Sequence, residues 1–274
     1  MAACKTLIRK SNMQTDALPS SVSPPVRMIA RLDVKGANVI KGVHLEGLRV
    51  IGQPEKLARK YYDEGADEII FMDSVASLYE RNNLLPVVAE TARNVFIPVT
   101  VGGGIRKLED IKAALRNGAD KVAINTAAVE RPSFLHEAAK AFGSQCIVLS
   151  IEAKQRSPDF WEVMTCNGRE KTDMNVLDWV ARAEELGVGE ILLTSIDKEG
   201  TQSGFDIELI QSVRRKVRIP IIACGGAGSA AHVHHVIAST GITAVGSASL
   251  FHYELCPIPE LKARLRNMGI GVRQ

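Results

Sequence analysis

Two acidic side chains, Asp33 and Glu152, stand at matching places in two similar parts of the sequence. Residues 31–35 are echoed by residues 150–154, and each stretch carries its acid at the third position. A repeat of this length is typical of a duplicated half-domain. Two carboxylates that face one ligand can act as general base and general acid. The alternative is a pair of solvated or lysine-bound carboxylates, because a lysine follows each acid two residues later.

Glycine clusters form a second pair of matching features. The three glycines at 102–104 correspond to the two at 225–226, and both clusters follow apolar runs. Glycines at such places let backbone N–H groups approach a phosphate. The next apolar run in each half leads into a small polar cluster, at Asn125-Thr126 and Ala248-Ser249. The sequence therefore predicts two phosphate sites, and with them a long ligand that carries a phosphate at each end.

The elements that position these residues alternate between short apolar strands and amphipathic helices. Eight runs are predicted as β-strands, at residues 26–33, 68–73, 97–101, 121–125, 146–151, 190–195, 219–224 and 244–247. Stretches with apolar residues at helical spacing lie between them, at residues 54–64, 108–117, 132–142, 175–186 and 206–213. This alternation predicts an α/β fold made of right-handed βαβ units.

Eight such units can form an open doubly wound sheet or a closed barrel. Two similar halves of four units favour a (βα)8 TIM barrel built from two duplicated half-barrels, and no linker-like segment separates the halves near residues 130–145. We therefore predict one barrel domain over residues 26–274. Strands four apart face one another in such a barrel, so Asp33 and Glu152 would meet one ligand at the C-terminal ends of the strands.

Composition limits the class of protein. The 274 residues are 46% hydrophobic and 24% charged, which is typical of a soluble globular protein. A net charge of +3 with scattered basic residues does not indicate a nucleic-acid partner. The longest apolar runs have the length of strands, so no membrane span is predicted. Five cysteines without CxxC spacing indicate reduced thiols and a cytoplasmic location.

Two segments suggest less specific features. Residues 1–25 are rich in Ser and Pro and lack the apolar core of a secretory signal. We predict a disordered tail or an over-early start codon there, with an organelle transit peptide as the alternative. His232 and His235 are spaced as a helical pair beside His234, but no carboxylate or cysteine completes a metal site. We predict no metal and no cofactor.

Several longer motifs connect this sequence to a known family. They lie at residues 33–35, 41–42, 101–105, 118–121, 125–129, 142–145, 189–197, 225–228 and 251–252. Through these motifs the chain, from about residue 26 to its end, resembles the cyclase subunit of imidazole glycerol phosphate synthase, from histidine biosynthesis. The order and spacing of the motifs make the resemblance specific to that family.

The resemblance implies a carbon–nitrogen lyase that forms a heterodimer with a glutaminase. Ammonia from the glutaminase would pass along the barrel axis to a bisphosphorylated ribulosyl-carboxamide, and the products would be imidazole glycerol phosphate and an aminoimidazole carboxamide ribotide. Asp33 would be the base and Glu152 the acid. Substrate and phosphate binding would fall to Lys41, Gly104, Asn125, Thr126, Gly200, Gly226, Ala248 and Ser249. An ammonia gate at the lower face would consist of Arg27, Glu68, Lys121 and Glu190.

Four positions depart from the family pattern. Glu152 and Glu199 stand where the family has aspartate, Cys224 where serine is usual, and Arg31 where a small residue is usual. Arg31 points into the barrel together with Asp33, because side chains alternate along a strand. A buried guanidinium needs a partner. We predict that Arg31 pairs with an interior carboxylate such as Asp73 or Glu152 and narrows or re-lines the ammonia path.

Two other functions stay open on the sequence alone. A paralogue could supply ammonia for amidine formation on a sugar of a bacterial surface polysaccharide. A scaffold without catalysis could conduct ammonia from a glutaminase to a third protein. The intact phosphate sites argue against the scaffold, whereas the glutamate at position 152, where the family has aspartate, argues for it.

Overall fold

The chain is described from a computed structural model over residues 24–76 and 84–273, and the predicted tail falls outside these ranges except for its last two prolines. The described residues form twelve strands: β1 (Arg27–Lys35), β2 (Asn38–Val43), β3 (Glu46–Gly52), β4 (Glu68–Asp73), β5 (Val99–Gly102), β6 (Lys121–Ile124), β7 (Ile147–Ser157), β8 (Phe160–Thr165), β9 (Glu170–Asn175), β10 (Glu190–Ser195), β11 (Ile221–Cys224) and β12 (Ala244–Ser247).

Eight of these strands close into a parallel ring. The order is β1, β4, β5, β6, β7, β10, β11 and β12, and β12 pairs with β1 again. Each ring strand corresponds to one of the eight predicted strands, with ends that differ by a few residues. The predicted (βα)8 barrel is therefore confirmed.

Helices cover the outside of the ring. The described residues form ten α-helices: α1 (Pro54–Asp63), α2 (Leu85–Ala92), α3 (Leu108–Arg116), α4 (Thr126–Glu130), α5 (Ser133–Phe142), α6 (Val176–Glu185), α7 (Ile207–Lys216), α8 (Ala230–Thr240), α9 (Ser249–His252) and α10 (Ile258–Asn267). Their apolar faces pack on the outer side of the strands and form the main hydrophobic core. Within these ranges, no helix combines the length and apolar character that a bilayer crossing requires.

Two β-hairpins extend the barrel, and the strand prediction omitted both. β2 and β3 follow β1, while β8 and β9 follow β7, so each half carries one hairpin after its first strand. The turn of the second hairpin brings Gly168 against Leu45 in the turn of the first. The Asn167-Gly168 dipeptide is a strong hairpin signal and could have revealed the second hairpin. The two turns together form a roof over part of the C-terminal mouth.

Alternate residues of the ring strands face the bore and form layers. The layer at the N-terminal end is charged and consists of Arg27, Glu68, Lys121 and Glu190. The next layer is apolar and consists of Ile29, Ile70, Val148, Leu192 and Ile222. A mixed layer of Arg31, Thr194 and Cys224 follows, and the acidic pair Asp33 and Glu152 lies at the mouth. The apolar layer separates the two charged ends of the bore.

A buried ion pair ties the last helix to the barrel. Lys262 of α10 donates to Asp67 Oδ1 at 2.8 Å, and Asp67 Oδ2 accepts a bond from the Met28 backbone N–H at 2.6 Å. Both side chains are about 5% exposed, so water cannot replace either partner. This pair lies outside the bore and fixes α10 to the segment before β4.

Replacing Lys262 with methionine is expected to lower the free energy of unfolding by about 3–5 kcal/mol, because it leaves the Asp67 carboxylate buried without its cation. Urea unfolding followed by circular dichroism measures the change. Arg264→Met is the matched control on the same helix, since Arg264 pairs with Glu260 at the surface and should cost under about 1 kcal/mol. Equal losses in the two variants would contradict this account.

Candidate active site

The two acids lie on opposite sides of the barrel mouth. Asp33 is on β1 and Glu152 on β7, and these strands are four places apart around the ring. Both side chains are buried, with exposures of 7% and 4%. The fold therefore places them as the sequence predicted, although a role in catalysis stays a prediction.

Asp33 is held by the guanidinium of Arg31. Arg31 Nε donates to Asp33 Oδ1 at 2.9 Å, and Arg31 Nη1 donates to Thr194 Oγ1 at 2.7 Å. The predicted partners Asp73 and Glu152 are therefore wrong, although the prediction of an interior carboxylate partner is right. The reason is local: residues two apart on one strand point the same way, so Asp33 is the nearest carboxylate in the bore.

The charge state of Asp33 follows from these contacts. Burial acts to raise the pKa of Asp33, but the nearby cations Arg31 and Lys41 outweigh it and hold that pKa below its usual range. The carboxylate is therefore ionised at neutral pH and able to accept a proton.

Glu152 has the opposite environment. Its Oε2 accepts bonds from the Gly168 backbone N–H at 2.8 Å and from Asn125 Nδ2 at 3.2 Å. Burial raises the pKa of Glu152 to about 7, against the lowering effects of Arg31 and of the Gly168 N–H. A large fraction of Glu152 is thus protonated near neutral pH. Two acids whose environments push their pKa values apart are suited to act as base and acid.

The first predicted phosphate site is an open cavity. About 260 Å³ of space is lined by Gly104, Asn125 and Thr126, with Glu152 at its inner end. A Cβ on Gly103, whose φ is +90°, would clash with the Asp73 carbonyl, so the close turn requires glycine. Asn125 Oδ1 is buried without a protein partner, which leaves it able to accept a bond from a ligand.

The second predicted phosphate site is much smaller than the first. Gly200, Gly226, Ala248 and Ser249 line a cavity of only about 10 Å³, to which Arg31 also contributes. This volume is about that of one water probe.

Lys41 forms a buried ion pair with Glu199, a residue that lines the second site. His44, in the turn of the first hairpin, donates its backbone N–H to the Glu199 carbonyl at 2.8 Å. His44 Nδ1 also lies 2.8 Å from the Ile196 carbonyl oxygen. These contacts fasten the first hairpin to the loop after β10.

The predicted gate residues form one network at the lower end of the bore. Arg27 bonds to Glu68 and, at 2.5 Å, to Glu190, while Lys121 bonds to Glu68 at 3.1 Å and Glu190 at 2.8 Å. Burial opposes the charge of Arg27, but Glu190 and Glu68 outweigh it and raise the pKa of Arg27. The four alternating charges close the bore without leaving a net charge.

Two other residues of the mouth, His252 and Cys224, were not predicted to take part in the chemistry. His252 faces Asp33, and its Nδ1 lies 2.7 Å from Tyr61 Oη. Burial lowers the pKa of His252 to about 4, so the imidazole is neutral at physiological pH. Burial also raises the pKa of the Cys224 thiol to about 12, as expected for a packed residue and not for a nucleophile. Among the described residues, no group of three or more His, Cys, Asp or Glu could hold a metal ion.

The chain matches the family described as "Histidine biosynthesis protein" over residues 27–257. It is 63% identical to the imidazole glycerol phosphate synthase subunit HisF of Legionella pneumophila over 203 residues, which are 74% of this chain and 96% of the relative. It is 49% identical to the HisF subunit of Thermobifida fusca over 257 residues, 92% of this chain and 100% of the relative. It is 47% identical to that of Corynebacterium glutamicum strain R over 255 residues, 91% and 98%. The chain therefore belongs to the HisF family of imidazole glycerol phosphate synthase subunits.

Proposed function

We propose that this protein is the cyclase subunit of an imidazole glycerol phosphate synthase, a carbon–nitrogen lyase of histidine biosynthesis. The observation that carries the proposal is the placement of Asp33 and Glu152 on opposite sides of one barrel mouth that also holds two glycine-lined sites. The family membership and its coverage of nearly the whole barrel support the same function. No specific observation favours the surface-sugar role or the scaffold.

The proposed reaction joins ammonia to a bisphosphorylated ribulosyl-carboxamide. Ammonia adds to the ketone carbon and water leaves, after which the new nitrogen closes the imidazole ring on the formimino carbon. The carbon–nitrogen bond to the aminoimidazole carboxamide then breaks. Asp33 takes a proton during ring formation, and Glu152 gives one to a departing oxygen or nitrogen. The two phosphates of the substrate would bind at the two glycine-lined sites and hold the reacting atoms between the acids.

We further propose that a glutaminase docks on the lower face and delivers ammonia through the gate. The names of the relatives describe them as subunits of a synthase. Beneath the gate, a cavity of about 440 Å³ lined in part by Arg27, Lys121 and Glu190 provides an entrance on this face. A cytoplasmic location fits the four described cysteines, which all carry free thiols.

Asp33→Asn is expected to lower kcat by about 10²–10⁴-fold, because the amide keeps the shape of the side chain but cannot accept the proton. Turnover of the bisphosphorylated substrate with ammonium salts measures this without any partner. Glu109→Gln, on the exposed face of α3, should retain wild-type kcat and serves as the control. Wild-type protein that fails to turn over this substrate would overturn the proposed function.

The pH dependence of kcat/KM should report both acids. Activity requires ionised Asp33 and protonated Glu152, so the acid limb should lie below about pH 4 and the basic limb near pH 7. The assay holds free ammonia constant, since the substrate nitrogen itself titrates. Glu152→Gln should lower the rate and remove the basic limb. A basic limb that persists in this variant would assign it to another group.

Lys121→Met should uncouple glutamine hydrolysis by the partner from product formation in the barrel, because it removes one of the two cations that close the lower end of the bore. With a glutaminase partner bound, we expect more glutamine to be hydrolysed than product formed, while turnover with added ammonium stays near the wild-type rate. Lys112→Met, at an exposed position of α3, is the control. Equal loss of both activities would contradict a passage through this gate.

A further inference from the structure

Arg31 crosses the bore immediately below the acidic pair. It starts on β1, and its Nη1 reaches Thr194 on β10, three strands away around the ring. The side chain is only 3% exposed, and it also borders the second cavity beside Cys224. The guanidinium therefore spans the bore in a fixed position, between the apolar layer and the substrate cavity.

This arrangement leaves the Asp33 carboxylate little freedom. The short side chain of Asp33 is bonded from the bore side by Arg31 Nε, and Arg31 is itself anchored at its other end by the Thr194 hydroxyl. The planar guanidinium presents its donors at fixed angles, so it sets the position of its partner as well as neutralising it. A flexible lysine in the same place would supply charge without that geometry.

We propose that Arg31 is a positioning residue for the reaction, which orients Asp33 toward the substrate and keeps it in the form that accepts a proton. This proposal rests on the function proposed above. It assigns to Arg31 no contact with the reacting atoms, although Arg31 borders the second glycine-lined site.

Several other groups near Asp33 affect its proton affinity. Lys41 on β2 favours its ionised form, and so would a protonated His252 on α9. Other titratable groups near the pair are Glu152 on β7, Glu199 after β10, the Cys224 thiol on β11, and Asp73 on β4, which lines the first cavity with Glu152. Among the described residues, Arg31 is the one whose side chain donates a hydrogen bond to the Asp33 carboxylate, and none of these other groups does so. Its removal should therefore have the largest effect.

The test replaces Arg31 with methionine, which keeps much of the side-chain volume, and with lysine, which keeps the charge. Carbon-13 NMR of labelled carboxyl groups measures the titration of Asp33 directly, and kcat/KM against pH is measured with ammonium at constant free ammonia. In Arg31→Met the pKa of Asp33 should rise by about 1–3 units, as expected for loss of an adjacent opposite charge. Both limbs of the activity profile should move to higher pH, because Arg31 also lowers the pKa of Glu152.

In Arg31→Lys the titration should stay within about 1 unit of wild type, whereas kcat should fall at least about tenfold because the fixed geometry is lost. Lys262→Met controls for lost stability, since it breaks a buried pair outside the bore and should leave both limbs in place. An unshifted titration of Asp33 in Arg31→Met, or full activity in Arg31→Lys, would overturn the proposal. If Arg31→Met does not fold, the kcat of Arg31→Lys decides.

Inactive wild-type protein would instead refute the proposed function. The NMR titration would then still show whether Arg31 controls the ionisation of Asp33. The two failures are thus distinguishable.

Discussion

The parallel pairing of β12 with β1 is the constraint on which the other features depend. It closes the ring, so every second side chain of eight strands must lie in one shared interior. Charges placed there have no water to solvate them and must neutralise one another. The gate network at one end and the Arg31–Asp33 pair at the other both satisfy this demand. An open sheet with the same sequence would let these side chains turn to solvent.

The duplicated halves place their acids symmetrically, but the environments of the acids differ. Asp33 adjoins a cation in the bore, whereas Glu152 lies beneath the turn of the second hairpin and bonds to a backbone N–H. The longer glutamate reaches that turn. One half therefore stabilises the anion, and the other tolerates the neutral acid. Two copies of one half-barrel thus provide one carboxyl group suited to act as a base and one suited to act as an acid.

Much of this arrangement could be predicted from the sequence. Apolar periodicity indicated the eight ring strands, and the repeat indicated that the acids face one another and that each half has a glycine-lined site. The partner of Arg31 was predicted wrongly, because the prediction considered acids on other strands, whereas side-chain alternation along β1 already places Asp33 beside Arg31. The Lys41–Glu199 pair was missed because Lys41 lies on a hairpin that the sequence analysis did not predict, and Glu199 lies on a loop far away in the sequence.

The position of the Arg31 guanidinium across the bore also affects which molecules could pass along the barrel axis. Arg31 carries a permanent positive charge and is partly neutralised by Asp33, while the layer beneath it consists mainly of hydrocarbon side chains. An ammonium ion would lose its hydration in that layer and then meet a cation of the same sign. A neutral molecule of the same size pays neither penalty. Under the proposed function, this arrangement would favour passage of unprotonated ammonia, which is also the only form that carries the lone pair for attack on a carbonyl carbon.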